Sequence, residues 1–536
     1  MLDIRINNVT VIDGTGAPGY GADIGVRCDR IVMCPGNEPA RCIIDGTGKL
    51  LTPGFIDAHS HGDEILGTDF GRLCKVNQGI TTEIAGQCGE SLAPVFPAGK
   101  KAVMDLLSTV VPQLPAEFDS FDDYGAYMHW ADSRKKSANI KCYVGHGTVR
   151  VGVMGYAERP AVPRELEQMK ALVRNAMENG ALGLSSGLIY TPSCYAETDE
   201  LVELCKVVAE YGGVYASHIR GESSTVVESV REALTIGRRA GVPVFISHHK
   251  VCGKPYWGLS RETLRLVDEA KAAGQQVTID QYPYPASMTN LNAAVPPWYF
   301  GENGVAGVAG LMSDREMRSR IRREIEDPAS PFENQYLNCG GWDGVLLSTL
   351  PKTPEYEGIT VAQAAQQMGT DPFEAYFDLL RDNDALGTAI YFCIGDEDMD
   401  RIFLHPDTCV GTDGIVMGME EKGHPRGWAA FPRAICTFHK EKALVGLEEM
   451  IRKITGFPAQ RAMLEQRGEI RDGWYADLVL LDYDALRDRA DFITCHALSD
   501  GVECVIVNGE IVYRDKKLMD AAPGRVLRHR KPAAGL

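Results

Sequence analysis

Two kinds of apolar patterning divide the chain. From residue 1 to about 52, apolar and polar positions alternate between Gly, Asn and Asp turns, as in IRINNVTVIDGTG, ADIGVRCDRIVMC and CIIDGTGKLLTPG, and this predicts short strands. Near the other end, RGEIRDGWYADLVLLDYD and VECVIVNGEIVYRDKKL repeat the pattern. The two β-rich ends predict one small β-sandwich made of residues 1–52 together with 467–520; two unrelated edge hairpins are the plainer alternative. Between them, over 53–466, short apolar strands alternate with amphipathic helices. The strands are LLTPGFIDAHSH, ITTEIAGQC, IKCYVGHGTV, ALGLSSGLI, GVYASHI, PVFISHHK, QVTIDQYPY and TCVGTDG. The helices include RELEQMKALVRNAMENG, TDELVELCKVVAEYGG, VVESVREALTIGRRAG and SRETLRLVDEAKAAG, each ending at or beside Gly as helix C-termini prefer. Eight strands with intervening helices predict an α/β fold, a (β/α)8 TIM-like barrel. The period breaks once, between Tyr284 and Cys409. That interval predicts an insertion at about 288–350 over the barrel mouth, besides helices such as PFEAYFDLLRDN and an extra strand, AIYFCI. The tail after Ala521 is expected to be loosely ordered.

Composition narrows the function classes. The 536 residues are 44% hydrophobic, enough for a large buried core. A formal net charge of −18 argues against nucleic acid or an anionic membrane as partner, and leaves the charge of a small-molecule substrate open. The 15 cysteines are odd in number and contain no C-x-x-C pair, and the opening MLDIRINNVT reads as a strand; together these predict a reducing cytoplasm. No apolar run approaches the length that spans a bilayer.

Chemistry gathers where the strands end. Phe55, Asp57, His59 and His61 are spaced two apart, so on a strand they share a face. Two imidazoles at a strand end form half of a metal site. Thr82, Ile84, Gly86 and Cys88 share a face by the same rule, and a thiolate beside two imidazoles suits a borderline metal such as zinc. One strand histidine is more often a satisfied core residue, but an H-x-H pair after an apolar strand ending in Asp is much rarer by chance. The strand ends together carry His59, His61, Cys88, His218, His248 and Asp413, and only 12 histidines exist in the chain. Parity places His248 and Lys250 inward and turns His249 toward the helices. For Asp413 the plain alternative is a helix N-cap in TDG.

These residues bring a family into view. The PGFID-H-H opening, the histidines ending strands five and six, the aspartate at strand eight and the flanking sandwich resemble the amidohydrolase superfamily. More narrowly, QGITTEIAGQCGESLAP, ASHIRGE, ISHHKVCG, DQYPYPAS and GTDG followed by HPRGWAAFPR resemble D-aminoacylases, the N-acyl-D-amino-acid deacylases, over nearly the whole chain. Relatives that open cyclic amides bridge two metals with a carbamylated lysine at strand four. ALGLSSGLI has no lysine, so the resemblance implies that Cys88 takes the bridging place. It further implies a tight zinc on Cys88, His218 and His248, and a weaker position on His59, His61, Cys88 and Asp413. Asp413 would be the general base that later protonates the leaving amine of an N-acyl-D-amino acid. Lys250, Tyr190, Tyr282, Ser287 and Arg426 match positions that contact this small-molecule substrate, whose free α-carboxylate calls for cations and hydroxyls. The sequence departs from the family pattern in IVMGMEEKG, which looks long and leaves the reach of Arg426 open. Side-chain preference and oligomeric state are not specified, and D-selectivity rests on the resemblance alone. Competing expectations are hydrolysis of a D-amino-acid dipeptide or a cyclic amide on the same scaffold, and a non-catalytic barrel, which would have lost ligands.

Overall fold

Strands account for both the ends of the chain and its centre. Five come first: β1 (Leu2–Val11), β2 (Tyr20–Arg27), β3 (Arg30–Met33), β4 (Ala40–Asp45) and β5 (Leu50–Pro53). A series separated by helices follows: β6 (Phe55–Asp57), β7 (Ile80–Ala85), β8 (Asn139–Cys142), β9 (Val144–Gly145), β10 (Gly183–Gly187), β11 (Val214–His218), β12 (Val244–Ile246) and β13 (Val277–Gln281). Next come β14 (Ser287–Asn290), β15 (Val345–Thr349), β16 (Thr388–Tyr391) and β17 (Thr408–Val410). The last are β18 (Leu478–Leu481), β19 (Val502–Val507), β20 (Glu510–Arg514) and β21 (Lys517–Leu518). The structure is a computed structural model that describes residues 1–95, 99–108, 114–416, 418–419 and 422–531. The fold is mixed α/β.

The two ends of the chain meet in one nine-stranded sheet, ordered β21-β20-β19-β18-β5-β1-β2-β3, with β4 paired to β1. Its joint is the antiparallel pairing of β18 with β5, Leu478 opposite Pro53 and Leu481 opposite Leu50. Alternation then sorts the side chains. Ile4, Ile6, Val11, Ile24, Leu51, Leu478, Leu480 and Ile506 fill one core, whereas Val479, Leu481, Val505 and Val507 pack into another.

The central strands form two parallel sheets, β17-β13-β12-β11-β10-β9 and β6-β7-β8. Hydrogen bonds cross both seams: Tyr143 N–H to Ala85 O at 2.9 Å on one side, Ala58 N–H to Val410 O at 3.3 Å and Asp413 N–H to His59 O at 2.8 Å on the other. Ile56, Ile84, Tyr143, Leu182, Val214, Ala216 and Phe245 meet in a common interior, while Leu184, Tyr215, Val244, Ile246, Val277 and Ile279 pack outward against helices. Helices Pro163–Glu178, Thr198–Ala209, Val226–Ala240 and Ser260–Ala272 fall where apolar spacing predicts them. Between β13 and β17 the chain builds an antiparallel sheet, β14-β16-β15, with β16 overlapping the first half of AIYFCI, the segment predicted as an extra strand.

Two expectations fail. IKCYVGHGTV is a strand only as far as Gly145, and His146–Met154 is helical. The valines there read as β-formers, but buried contacts on the helix override that preference, with His146 seated between Ser193 Oγ and Glu200 Oε1, each at 2.9 Å. The tail is not loose as far as Lys531. Leu527 N–H donates to Ile140 O (2.7 Å) and His529 N–H to Gly180 O (2.9 Å), so the tail satisfies backbone groups around β8. Residues 532–536 lie outside the described residues.

One buried ion network ties β6 to β7. Lys75 Nζ donates to Asp57 Oδ2 (3.0 Å) and Ser60 Oγ (2.7 Å) and pairs with Glu83 Oε2 (3.0 Å). Asp57 also accepts from Thr412 N–H (2.8 Å) and Thr412 Oγ1 (2.7 Å), which fastens the segment after β17 to the end of β6. Replacing Lys75 by Met leaves two carboxylates uncompensated in the interior. Lys75→Met is expected to lose about 3–5 kcal/mol of stability in urea titration, and an unchanged midpoint would show the network to be dispensable.

Candidate metal centre

The site is built just beyond the strand ends. β6 stops at Asp57, β7 at Ala85, β12 at Ile246 and β17 at Val410, so His59, His61, Cys88, His248 and Asp413 lie on the turns that follow, and His218 is the last residue of β11. Cys88, His248 and Asp413 have φ of 54°, 34° and 48°, left-handed values that non-glycine residues adopt rarely and that concentrate at functional sites. The glycines around Cys88 make its turn possible. At Gly86 (φ 70°) a Cβ would lie 2.5 Å from Tyr143 O, and at Gly89 (φ 80°) 2.7 Å from Gly187 N.

All six predicted ligands converge, and all are buried. The donor atoms of His59, His61, Cys88 and Asp413 lie within 4.8 Å of one another, as do those of Cys88, His218 and His248, so Cys88 belongs to both groups. Its Sγ is 3.4 Å from His59 Nε2 and 3.3 Å from His248 Nε2. Asp413 Oδ1 is 3.4 Å from the Nε2 atoms of both His59 and His61. His249 points away, its Nε2 2.8 Å from Thr263 Oγ1.

Charge favours ligation. Burial opposes ionisation of Cys88, but the imidazoles of His59 and His248 hold its thiol well below the usual range. Burial likewise opposes ionisation of Asp413, which Arg426 and His248 hold well below the usual carboxylate range. Against the effect of its burial, Asp280 and Cys88 push His59 up to about 10. Among the described residues neither ring nitrogen of His218 has a hydrogen-bond partner, the Glu222 carboxylate standing off at 3.6 Å, although the ring is enclosed. A buried imidazole without a hydrogen bond, beside a thiolate and further imidazoles, fits a borderline divalent metal.

The predicted substrate residues surround this centre in unequal states. Lys250 Nζ is engaged three times, by Glu222 Oε1 (2.6 Å), His248 Nδ1 (2.8 Å) and His248 O (3.1 Å). Arg426 reaches Asp413 Oδ2 at 2.8 Å, while its Nε and the Tyr282 hydroxyl have no hydrogen-bond partner among the described residues. The Arg426 guanidinium lies 4.6 Å from the Tyr282 ring centroid. Within IVMGMEEKG, Met417, Glu420 and Glu421 lie outside the described residues. Tyr190 packs its ring 4.9 Å from that of His218 and accepts from Thr289 Oγ1 (3.1 Å). Ser287 Oγ is 3.9 Å from Cys393 Sγ.

Carboxylates behind the ligands escaped the sequence pattern. Asp280 Oδ1 lies 3.1 Å from His59 Nδ1 and accepts the His248 backbone N–H at 2.8 Å, orienting two of the candidate donors. Glu222 stands 3.6 Å from His218 Nε2 and pairs with Lys250. Its spacing from His218, four residues within ASHIRGE, is the one local signal it gives. Glu64 Oε1 is 3.5 Å from His61 Nδ1, and His61, Glu64 and Glu90 form a third group of donor atoms within 4.8 Å of one another.

A turn-borne cluster of imidazoles, one thiolate and one aspartate at the ends of parallel strands defines a class, and the chain belongs to the amidohydrolase family, whose model matches residues 43–277 and 401–513. Within that class it is 34% identical over 527 residues to a D-aminoacylase from Alcaligenes xylosoxydans xylosoxydans, covering 98% of this chain and 97% of the relative. A solved D-aminoacylase structure concerned with the functional role of its binuclear metal centre superposes with a TM-score of 0.81 at 33% identity, covering 98% of this chain and all of that one. An N-acyl-D-glutamate deacylase from Bordetella bronchiseptica, complexed with zinc and a phosphonate mimic of the tetrahedral intermediate, does so with 0.82 at 33% identity, covering 98% and 99%.

Because Cys88 is the one sulfur donor in either group, Cys88→Ala is expected to lose any metal that the two groups hold. Metal per chain in the purified variant, read by elemental mass spectrometry, should fall at least tenfold; full retention would remove Cys88 from the centre.

Proposed function

We propose that this chain hydrolyses the amide bond of N-acyl-D-amino acids with zinc as its metal, releasing a carboxylate and a free D-amino acid. The observation that carries the reading is the buried Cys88 thiolate shared by two groups of donors. Cys88, His218 and His248 form the tight site, and His59, His61, Cys88 and Asp413 a second, weaker one. When bound, the metal polarises the amide carbonyl and lowers the pKa of water.

The chain's own residues then divide the work. Asp413, held ionised by Arg426, takes a proton from the attacking water and returns it to the amide nitrogen, a leaving group that departs only when protonated. Arg426 Nε and the Tyr282 hydroxyl, both without a hydrogen-bond partner among the described residues, receive the substrate's α-carboxylate. Lys250, Tyr190 and Ser287 complete the walls, and Asp280 and Glu222 keep the imidazoles in register.

The frame is read in the same way. The hydrogen bonds at both seams support one (β/α)8 barrel over 53–466, with an insertion from about 288–350 above the site. Residues 1–52 and 467–520 are read as the β-sandwich. No helix among the described residues is long and apolar enough to cross a membrane, and all 15 cysteines are free, which supports a reducing cytoplasm.

Amine release from matched N-acetyl-D- and N-acetyl-L-amino acids tests the reading. Chelator-sensitive turnover of the D-series is expected, and silence on the whole panel with zinc bound would overturn it. Asp413→Ala should keep the tight metal and lose roughly 10²–10⁴-fold in kcat; an active variant would place the proton shuttle elsewhere.

A further inference from the structure

Three cysteines outside the metal centre meet where the inserted sheet touches the segment after β12. Cys393 Sγ lies 3.3 Å from Cys252 Sγ, although 141 positions separate the two in sequence, so the contact is made by the fold and not by local chain geometry. Cys339, which follows the short helix Gln335–Asn338, hydrogen-bonds Cys393 as well. Cys252 and Cys393 are buried and Cys339 is half-buried.

A buried cysteine is ordinarily an inert small hydrophobe; a reactive one needs thiolate character and a second thiol within reach. Cys393 has both. Hydrogen bonds from Cys252 and Cys339 hold its thiol well below the usual range, against the effect of burial. Among the described residues, the groups of three donors within 4.8 Å of one another do not include these cysteines, so the cluster is not arranged around a metal. Its geometry suits a bond between neighbours instead. Gly253 N–H donates to Cys393 O at 2.8 Å, and Cys252 forms an antiparallel bridge with Ile394, so the two backbones already run side by side. Closing the sulfurs from 3.3 Å to the about 2.05 Å of a disulfide is a small movement.

We infer that Cys252 and Cys393 are a redox-modification site, at which hydrogen peroxide makes a reversible disulfide that staples the inserted sheet to the segment bearing His248 and Lys250. The Cys393 thiolate attacks one peroxide oxygen, the O–O bond breaks, and a sulfenic acid and hydroxide form. The sulfur of Cys252 then displaces the sulfenic hydroxyl, which leaves as water with the Cys252 thiol proton. The two sulfurs are oxidised by two electrons and the peroxide is reduced by two. Cys339, the half-buried member, marks the side from which peroxide arrives. A dithiol reverses the bond by exchange. The staple reaches the centre from both ends. Cys252 N–H donates to Glu222 O (2.7 Å), and Lys250, two residues earlier, holds His248 Nδ1. Cys393 Sγ is 3.9 Å from Ser287 Oγ, and Ser287 pairs with Tyr391 of β16. A shift of about 1 Å in such supports costs turnover up to about 100-fold.

The test treats the zinc-loaded enzyme with hydrogen peroxide, alkylates the remaining thiols, and maps peptides by mass spectrometry with and without dithiothreitol. A reducible Cys252–Cys393 crosslink is expected, decided on the wild type whether or not a variant folds. As it forms, kcat/KM for N-acetyl-D-leucine should fall at least tenfold and return on reduction, with zinc content unchanged. Cys252→Ala and Cys393→Ala should keep their kcat/KM through the same treatment. Both cysteines remaining alkylated, or Cys393 joined to Cys339 instead, would overturn the inference. A crosslink without change in kcat/KM would overturn its reach to the centre. Inactivation with loss of zinc, undiminished in Cys393→Ala, would place the sensitive sulfur at Cys88 and overturn it too. The activity arm rests on the proposed hydrolysis. Enzyme silent on N-acetyl-D-leucine before oxidation would count against that reading alone, because the peptide map decides the crosslink without it.

Discussion

A thiolate kept out of water governs the architecture around the crevice. Cys88 is buried, and an anion there is tolerable only because imidazoles from three different segments approach its sulfur. Bringing those segments together requires each strand to end in a sharp turn. The left-handed backbone at Cys88, His248 and Asp413 is the local consequence, costing about 1–3 kcal/mol at each residue. Parallel strands hydrogen-bonded along their lengths supply the rigidity that holds such turns. A site on freely moving loops would relax them.

Behind the donors stands a layer of paired charge. Asp280 fixes His59 and the backbone of His248; Glu222 and Lys250 fix the other face of His248; Asp57, Lys75 and Glu83 fix the strand from which His59 and His61 emerge. Each of these carboxylates faces a cation, an imidazole or a backbone N–H. The arrangement changes the part given to Lys250. Parity places it correctly at the centre, but its three donors are spent on protein atoms, and the partnerless groups are Arg426 Nε and the Tyr282 hydroxyl.

The candidate donors were legible in the sequence by two local signals together, a place at or just past the end of an apolar strand and a residue type that binds metal; strand alternation itself fails for all but His218, because the others stand on turns. The carboxylates behind them give no such pair of signals. Asp280 sits in VTIDQ between Ile279 and Gln281 with nothing local to single it out, and only the neighbouring β12 shows that it faces His248 N–H. Glu90 follows Cys88 within a turn, where no period indicates its direction. The helix at His146–Met154 was hidden by its valines, and the ordered tail by a composition that resembles linker. In each case the deciding partner is remote in sequence: Glu200 for His146, Ile140 for Leu527.

Arg426 joins the two halves of the proposed reaction. Its guanidinium contacts Asp413 Oδ2 and is the leading influence that keeps that carboxyl ionised despite burial. The same guanidinium stands over the Tyr282 ring with its Nε unspent, where a substrate carboxylate would be received. An arriving anion shares the positive charge that Asp413 otherwise holds alone, which raises the proton affinity of Asp413. In the proposed reaction, substrate seating would therefore strengthen the base at the step where it must accept a proton. A lysine, with its charge concentrated on one rotatable ammonium, could not contact both carboxylates through separate edges of one rigid plane.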